Sequence, residues 1–124
     1  MKSEQLEGAT LDILSPQEVQ ERLDRNEIVL IDVRTPQEYT FEHIRGALLY
    51  PMSGFDPAKL PTQTDKPLVF HCGSGVRSTM VAKRCAAAGI TQLAHMEGGM
   101  GAWKAAKLPI IAVDPQSGNM VAKP

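Results

Sequence analysis

The segment Leu68-Val69-Phe70-His71-Cys72-Gly73-Ser74-Gly75-Val76-Arg77-Ser78 contains the residue types from which a nucleophilic sulfur site can be built. A short apolar run leads into a cysteine. Two glycines and an arginine follow, and then a helix-forming stretch from Thr79 to Ala88. This order predicts a buried strand, a tight loop and a helix, with Cys72 at the strand's carboxyl end. In an open parallel sheet, ligands bind in the crevice outside that end of the strands. A loop of small residues can turn several backbone N–H groups toward one point. The first turn of the next helix adds unpaired donors and the positive end of its dipole. A sulfur held there is stabilised as thiolate, because the anion gains those hydrogen bonds and the thiol does not. The expected chemistry is nucleophilic attack by Cys72.

The elements that position this loop can be read in order. Thr10 to Leu14 reads as a short strand. Ser15-Pro16-Gln17-Glu18 supplies a capping serine, a proline at the first helical position and a glutamate that closes a capping box. Val19 and Leu23 fall on one face of the helix this starts, which runs to about residue 25 and stops at Asn26. Ile28 to Val33 is a continuous apolar run ending in an aspartate, as expected of a strand covered on both faces. Thr35-Pro36-Gln37-Glu38 repeats the capping pattern, and Gly46 to Tyr50 is extended. The proline-rich stretch 51–67 is a surface connection with one helical turn near Pro57 to Leu60. Beyond the central helix, Gly89 is placed as its left-handed stop. Leu93 to Met96 is a strand, Gly98 to Ala106 turns into a short helix, and Leu108 to Val113 is extended. Strands alternating with helices imply parallel pairing through right-handed crossovers.

The chain has 124 residues with 43% hydrophobic residues, enough for one domain with one ordinary core. A formal net charge of -1 gives no global field that would recruit nucleic acid or an anionic membrane. Two cysteines, Cys72 and Cys85, are too few for a disulfide framework and fit a reducing compartment. The first residues lack an apolar signal core and no later run is long enough to span a bilayer, so the expected location is the cytoplasm.

Asp32-Val33-Arg34, Glu38-Tyr39, His43-Ile44 with Gly46-Ala47, the loop Cys72 to Arg77, and Gly98-Gly99 followed by Ala102-Trp103 stand in this order between about residue 10 and residue 111. In these pieces and their order the sequence resembles the rhodanese-like sulfurtransferases. The resemblance implies an α/β fold: a rhodanese-like single domain with a central parallel sheet of about five strands and helices on both faces. The expected boundaries are a flexible N-terminus over 1–9, the domain over 10–113 and a polar C-terminal tail over 114–124. It also implies a thiosulfate sulfurtransferase-type enzyme, in which a sulfane sulfur passes from thiosulfate or a similar donor to cyanide or a thiol through a persulfide on Cys72. The alternative is a sulfur-relay or regulatory module that works with a protein partner and turns over small molecules poorly. The residues expected to bind substrate are Gly73, Ser74, Gly75, Val76, Arg77 and Ser78, together with Arg34, whose cation suits an anionic donor. No metal or organic cofactor is required. The expected partners are a small anionic donor, a thiol or cyanide acceptor and, in the alternative, a protein acceptor, with neither nucleic acid nor membrane involved.

Loop length separates this reading from its nearest rival. Phosphatases that share the rhodanese fold use the longer C-x5-R loop, whereas here the arginine comes one place earlier, at 77, and residue 78 is serine. The longer loop suits a tetrahedral phosphate, and the shorter one closes around a single sulfur.

The remaining candidates have simpler readings. Asp32 is expected to orient neighbouring loops. His43 is expected to hydrogen-bond locally in a turn, although Glu42 and Arg45 beside it depart from the family's usual glycine and proline and add charge that can face a partner. His71 directly precedes Cys72, so alternation turns it away from the sulfur. With His43, His71 and His95 scattered, no metal site is expected. Val81, Cys85 and Ala88 share one helical face, which makes Cys85 a core residue rather than a resolving thiol. Trp103 reads as a packing anchor.

Overall fold

The computed structural model describes residues 2–61 and 66–123. Strands β1 (Lys2–Leu6) and β2 (Ala9–Leu14) form an antiparallel hairpin through Glu7-Gly8, with Leu6 opposite Ala9. A two-residue hairpin turn needs positive φ, and Gly8 sits at +78°. The N-terminal stretch expected to be flexible is thus a strand. Lys2 to Gln5 are exposed, so β1 carries no apolar alternation that would announce it.

Helix α1 (Pro16–Asp24) begins with the expected capping box. The Glu18 amide donates to Ser15 Oγ at 3.1 Å, and the Ser15 amide donates to Glu18 Oε1 at 3.0 Å. Such a cap stabilises a helix by about 1 kcal/mol. Asn26, at φ +58°, ends the segment. Then follow β3 (Val29–Asp32), the short α2 (Pro36–Phe41) capped in the same way by Thr35 and Glu38, β4 (Glu42–His43) and β5 (Leu48–Leu49). The connection 51–67 holds 3-10 turns at Met52–Gly54 and Pro57–Lys59, while its residues 62–65 lie outside the described residues. The second half contains β6 (Leu68–His71), α3 (Val76–Ala87), β7 (Gln92–Met96), α4 (Gly99–Ala105), β8 (Ile110–Val113) and β9 (Met120–Lys123).

The main sheet has six strands in the order β1-β2-β7-β6-β3-β5. Five of them, from β2 to β5, pair in parallel as expected, and β1 adds an antiparallel edge. A second, three-stranded antiparallel sheet, β4-β8-β9, was not foreseen. It takes up the expected polar tail: Met120 pairs with Val113 and Lys123 with Ile110, across a turn that Asp114 holds by accepting the Gly118 amide.

Side-chain alternation along the parallel strands separates two apolar layers. Leu30, Val69, Ala94 and Met96 face α1 and α4, where Val19, Met100 and Trp103 are buried. Ile31, Phe70 and Leu93 face α3, where they meet Val81, Ala82 and Cys85. Helices therefore cover both faces. Among the described residues no helix is long and apolar enough to cross a membrane.

Candidate functional site

Cys72 follows the last residue of β6, the strand flanked by β7 and β3, so its position is fixed by parallel neighbours on both sides. The chain leaves the sheet there, and Gly75, at φ +102°, starts α3. Left-handed backbone at this point lets the loop double back over the cysteine, and glycine adopts it without a Cβ penalty. The Gly75 amide donates to Cys72 Sγ at 3.1 Å and the Ser78 amide at 3.4 Å. The Ser78 hydroxyl lies 3.7 Å from the sulfur. Burial is the largest single influence on the thiol and pushes it up. The Ser78 amide and hydroxyl and the amides of Ser74 and Gly75 together outweigh it, so the thiol lies below its ordinary value. Of the six residues expected to cradle the sulfur, Ser74, Gly75 and Ser78 direct donors at it. The side chain of Val76 instead faces solvent.

The other side of the loop is gripped by the start of α4. The Met100 amide donates to the Cys72 carbonyl at 2.7 Å, and the Gly101 amide donates to the Gly73 carbonyl at 3.0 Å. This close approach is possible because residues 98 and 99 are glycines at φ +73° and +59°. A Cβ on Gly99 would lie 2.3 Å from the Cys72 carbonyl oxygen. The Gly98-Gly99 pair thus acts as a backbone clamp on the cysteine loop, a role that its spacing alone did not reveal.

Arg77 lies beside the loop, where a Cβ on Gly73 would come within 3.3 Å of its Nη2. Its fork is held by Glu38, with Nη1 donating to Oε1 at 2.8 Å and Nη2 to Oε2 at 3.1 Å. Glu38 is also the capping-box residue of α2, so one carboxylate joins that helix to the active loop. The Arg77 hydrogen bonds are the main cause of a Glu38 carboxyl lowered from 4.5 to about 2. Its contribution to stability is complete above pH 4.5 and is lost as pH falls through about 2. The melting temperatures of wild type and Glu38→Gln are expected to converge as pH falls through this window. A gap that stays constant would refute the linkage.

Arg34 is enclosed by protein groups. It is 4% exposed. Nε lies 3.0 and 3.1 Å from the two Asp32 oxygens, and Nη2 donates to Asp32 Oδ2 at 2.9 Å and to the Glu42 carbonyl at 2.8 Å. Asp32 also accepts the Arg34 amide at 3.0 Å. A cation beside a fully buried carboxylate pairs with it, since the carboxylate would otherwise be left uncompensated in a low-dielectric interior. Arg34, expected to bind substrate, therefore ties β3 to β4. His71 lies on the same side, with Nε2 3.5 Å from Asp32 Oδ2 and Nδ1 3.3 Å from the Cys72 carbonyl oxygen. Burial lowers its pKa against the opposing pull of Asp32, so the ring is neutral near pH 7.

The other candidates are structural. The His43 ring stacks on Tyr39 at 4.0 Å, with Nδ1 2.9 Å from the Tyr39 carbonyl oxygen. The charge of Glu42 is taken up by Lys104 of α4. Cys85 is buried, and burial pushes its thiol up to about 11. Ala88, expected on the same buried face, is exposed at the helix C-cap, and Ala82 packs there in its place. Trp103 is a packing anchor whose Nε1 donates to the Pro109 carbonyl at 2.9 Å.

Comparison with known proteins adds to this geometry. Residues 15–106 match the family model described as a rhodanese-like domain. An uncharacterised protein of Synechocystis sp. is 36% identical over 98 residues, covering 79% of this chain and 55% of that protein. A probable adenylyltransferase/sulfurtransferase, MoeZ of Mycobacterium tuberculosis, is 39% identical over 95 residues, which are 73% of this chain but 24% of that one. The chain thus spans about half or less of these two relatives. The thiosulfate sulfurtransferase GlpE of Coxiella burnetii is 30% identical over 92 residues, covering 74% of this chain and 86% of that protein. Among solved structures, a rhodanese-like domain protein from Staphylococcus aureus superposes with a TM-score of 0.63 at 31% identity, covering 74% of this chain and 90% of that one.

Proposed function

The chain belongs to the rhodanese-like domain family, and from that premise we propose that it is a sulfurtransferase that carries a sulfane sulfur as a persulfide on Cys72. The observation that carries this reading is the sulfur's place: buried, beneath the amides of Gly75 and Ser78, with its thiol lowered. The Cys72 thiolate attacks the outer sulfur of thiosulfate or a similar donor. A new S–S bond forms, the donor's S–S bond breaks, and sulfite leaves with the electron pair. The outer sulfur is then taken by a thiophilic nucleophile, cyanide or a thiol, which returns Cys72 as thiolate. Arg77, its fork set by Glu38, stands at the loop to meet the donor's sulfonate. The amide donors already point at the sulfur before a donor molecule arrives, which is electrostatic preorganisation rather than acid–base catalysis. The six-residue loop from Cys72 to Arg77 favours sulfur over a tetrahedral phosphate.

A second reading, transfer to a protein acceptor with little small-molecule turnover, draws support from the surface. Val76 and Met80, one turn apart on α3, are 64% and 45% exposed beside the loop.

The test is intact mass after incubation with thiosulfate and removal of small molecules. Wild type is expected to gain one sulfur atom and Cys72→Ser none. An unchanged wild-type mass, or an equal gain in the variant, would overturn the proposal. Comparing turnover of cyanide with turnover of a protein thiol then separates the two readings.

A further inference from the structure

Ser78 and His95 form a buried pair behind the sulfur that the reaction as written above does not use. Ser78 is fully buried on the first turn of α3, and His95 is 7% exposed on β7. Their Oγ and Nδ1 atoms are 2.8 Å apart. The serine hydroxyl has one proton and three neighbours that could take it. The Gly75 carbonyl oxygen is 3.2 Å away, the Cys72 sulfur 3.7 Å and the imidazole nitrogen 2.8 Å. If Nδ1 is bare, it is the nearest acceptor and takes the proton, and the sulfur then faces an oxygen lone pair. If Nδ1 carries a hydrogen, it donates to Oγ, and because the Gly75 carbonyl already accepts from the Thr79 hydroxyl at 2.8 Å and the Thr79 amide at 3.2 Å, the charged sulfur is the acceptor left for the hydroxyl proton. Which ring nitrogen is protonated therefore decides whether Ser78 supports or opposes a negative sulfur.

We propose that His95 is a positioning residue that donates from Nδ1 to Ser78 and thereby makes the Ser78 hydroxyl a donor to the Cys72 anion. The inference deepens the sulfurtransferase reading and rests on it for its use in catalysis, although the hydrogen-bond relay stands without it. The groups that face His95 fit a neutral, fixed ring. It lies in register with Ile13 of β2 and Phe70 of β6. Burial holds its pKa down, against the opposing fields of Glu4 on β1 and Glu97 after β7. An uncharged ring held in one orientation can act as a constant donor across the neutral range. The imidazole Cε1 also lies 4.0 Å from where a Cβ on Gly75 would stand, so the ring packs under the loop it serves.

The test titrates the thiolate by its ultraviolet absorbance, with Cys72→Ser as the blank, and so does not depend on any sulfur donor. His95→Leu is expected to raise the apparent pKa of Cys72 and lower the thiolate fraction about tenfold below that pKa, the loss of one hydrogen bond serving a charged group. His95→Asn, whose side-chain amide can place an N–H where Nδ1–H stood, is expected to restore the wild-type curve. Ser78→Ala is expected to shift the curve as well, and adding His95→Leu to it to shift it no further. A His95→Leu curve that overlays wild type, or an Asn variant that behaves like Leu, would overturn the proposal. If His95→Leu does not fold, the ring 15N shifts of His95 in wild type decide: a protonated Nδ1 supports the relay and a bare one refutes it. A protein that passes this titration yet never gains sulfur from thiosulfate would retain the relay and lose the proposed function.

Discussion

Gly99→Ala is expected to destabilise the protein by about 3 kcal/mol or more and to slow sulfur transfer on the order of 100-fold. A Cβ there would stand 2.3 Å from the Cys72 carbonyl oxygen and 2.6 Å from the Gly73 carbonyl carbon. Both are backbone atoms, so no side-chain rotation relieves the contact. The residue also sits at φ +59°, where an L side chain adds its own strain. Either α4 backs away and gives up the amide bonds to the Cys72 and Gly73 carbonyls, or the loop shifts and carries the sulfur with it. Gly101→Ala is the control. Its Cβ would be 3.4 Å from the Gly73 carbonyl oxygen, close to ordinary contact, and alanine favours the helix. A thermal melt and a turnover assay on both variants check the argument. The expectation is a fall of roughly 10 °C or more for Gly99→Ala and little change for Gly101→Ala. Matching behaviour would show that the clamp is unimportant.

Asp32→Ala is expected to cost about 3–5 kcal/mol, because it leaves the Arg34 guanidinium buried without its counter-charge. The pair adds little net stability when intact, since burying both ions offsets most of their attraction. The asymmetry is the testable part. Asp32→Asn combined with Arg34→Met removes both charges and is expected to recover much of the loss, apart from the bond to the Glu42 carbonyl. Denaturant unfolding of the single and double variants measures this. A double variant no more stable than Asp32→Ala would show that the hydrogen bonds, rather than the unpaired charge, carry the energy. Because Asp32 also lies 3.5 Å from His71, whose ring abuts the Cys72 carbonyl, the single variant is expected to lower transfer as well.

What the sequence revealed, and what it hid, follows from the range of each signal. Caps and turns act over three or four residues, so Ser15 with Glu18 and Thr35 with Glu38 were legible, as were the stops at Asn26 and Gly89. The continuous apolar runs before Asp32 and Cys72 marked strands covered on both faces. Strand β1 was hidden because an edge strand with polar side chains has no periodicity, although Glu7-Gly8 between Leu6 and Ala9 was a hairpin signal that could have been used. Strand β9 was hidden in the same way, since its partner β8 is too short to announce a second sheet. At the site, Cys72 and its glycines were legible because the loop is contiguous. Glu38 and His95 were not, because they reach the loop from 39 and 17 residues away along the chain. The burial of Arg34 was hidden because proximity to the active edge says nothing of burial. Its carboxylate partner two residues earlier was the available clue.

The clamp from α4 also bears on when this cysteine becomes chemically distinct during synthesis. Residues 98 to 101 emerge from the ribosome after Cys72, and so does His95. Until they dock, the Cys72 and Gly73 carbonyls lack their partners across the loop, and the Ser78 hydroxyl lacks His95. A chain truncated before Gly99 is expected to carry a Cys72 thiol closer to ordinary acidity than the full chain does, which would couple the lowered thiol to completion of the fold.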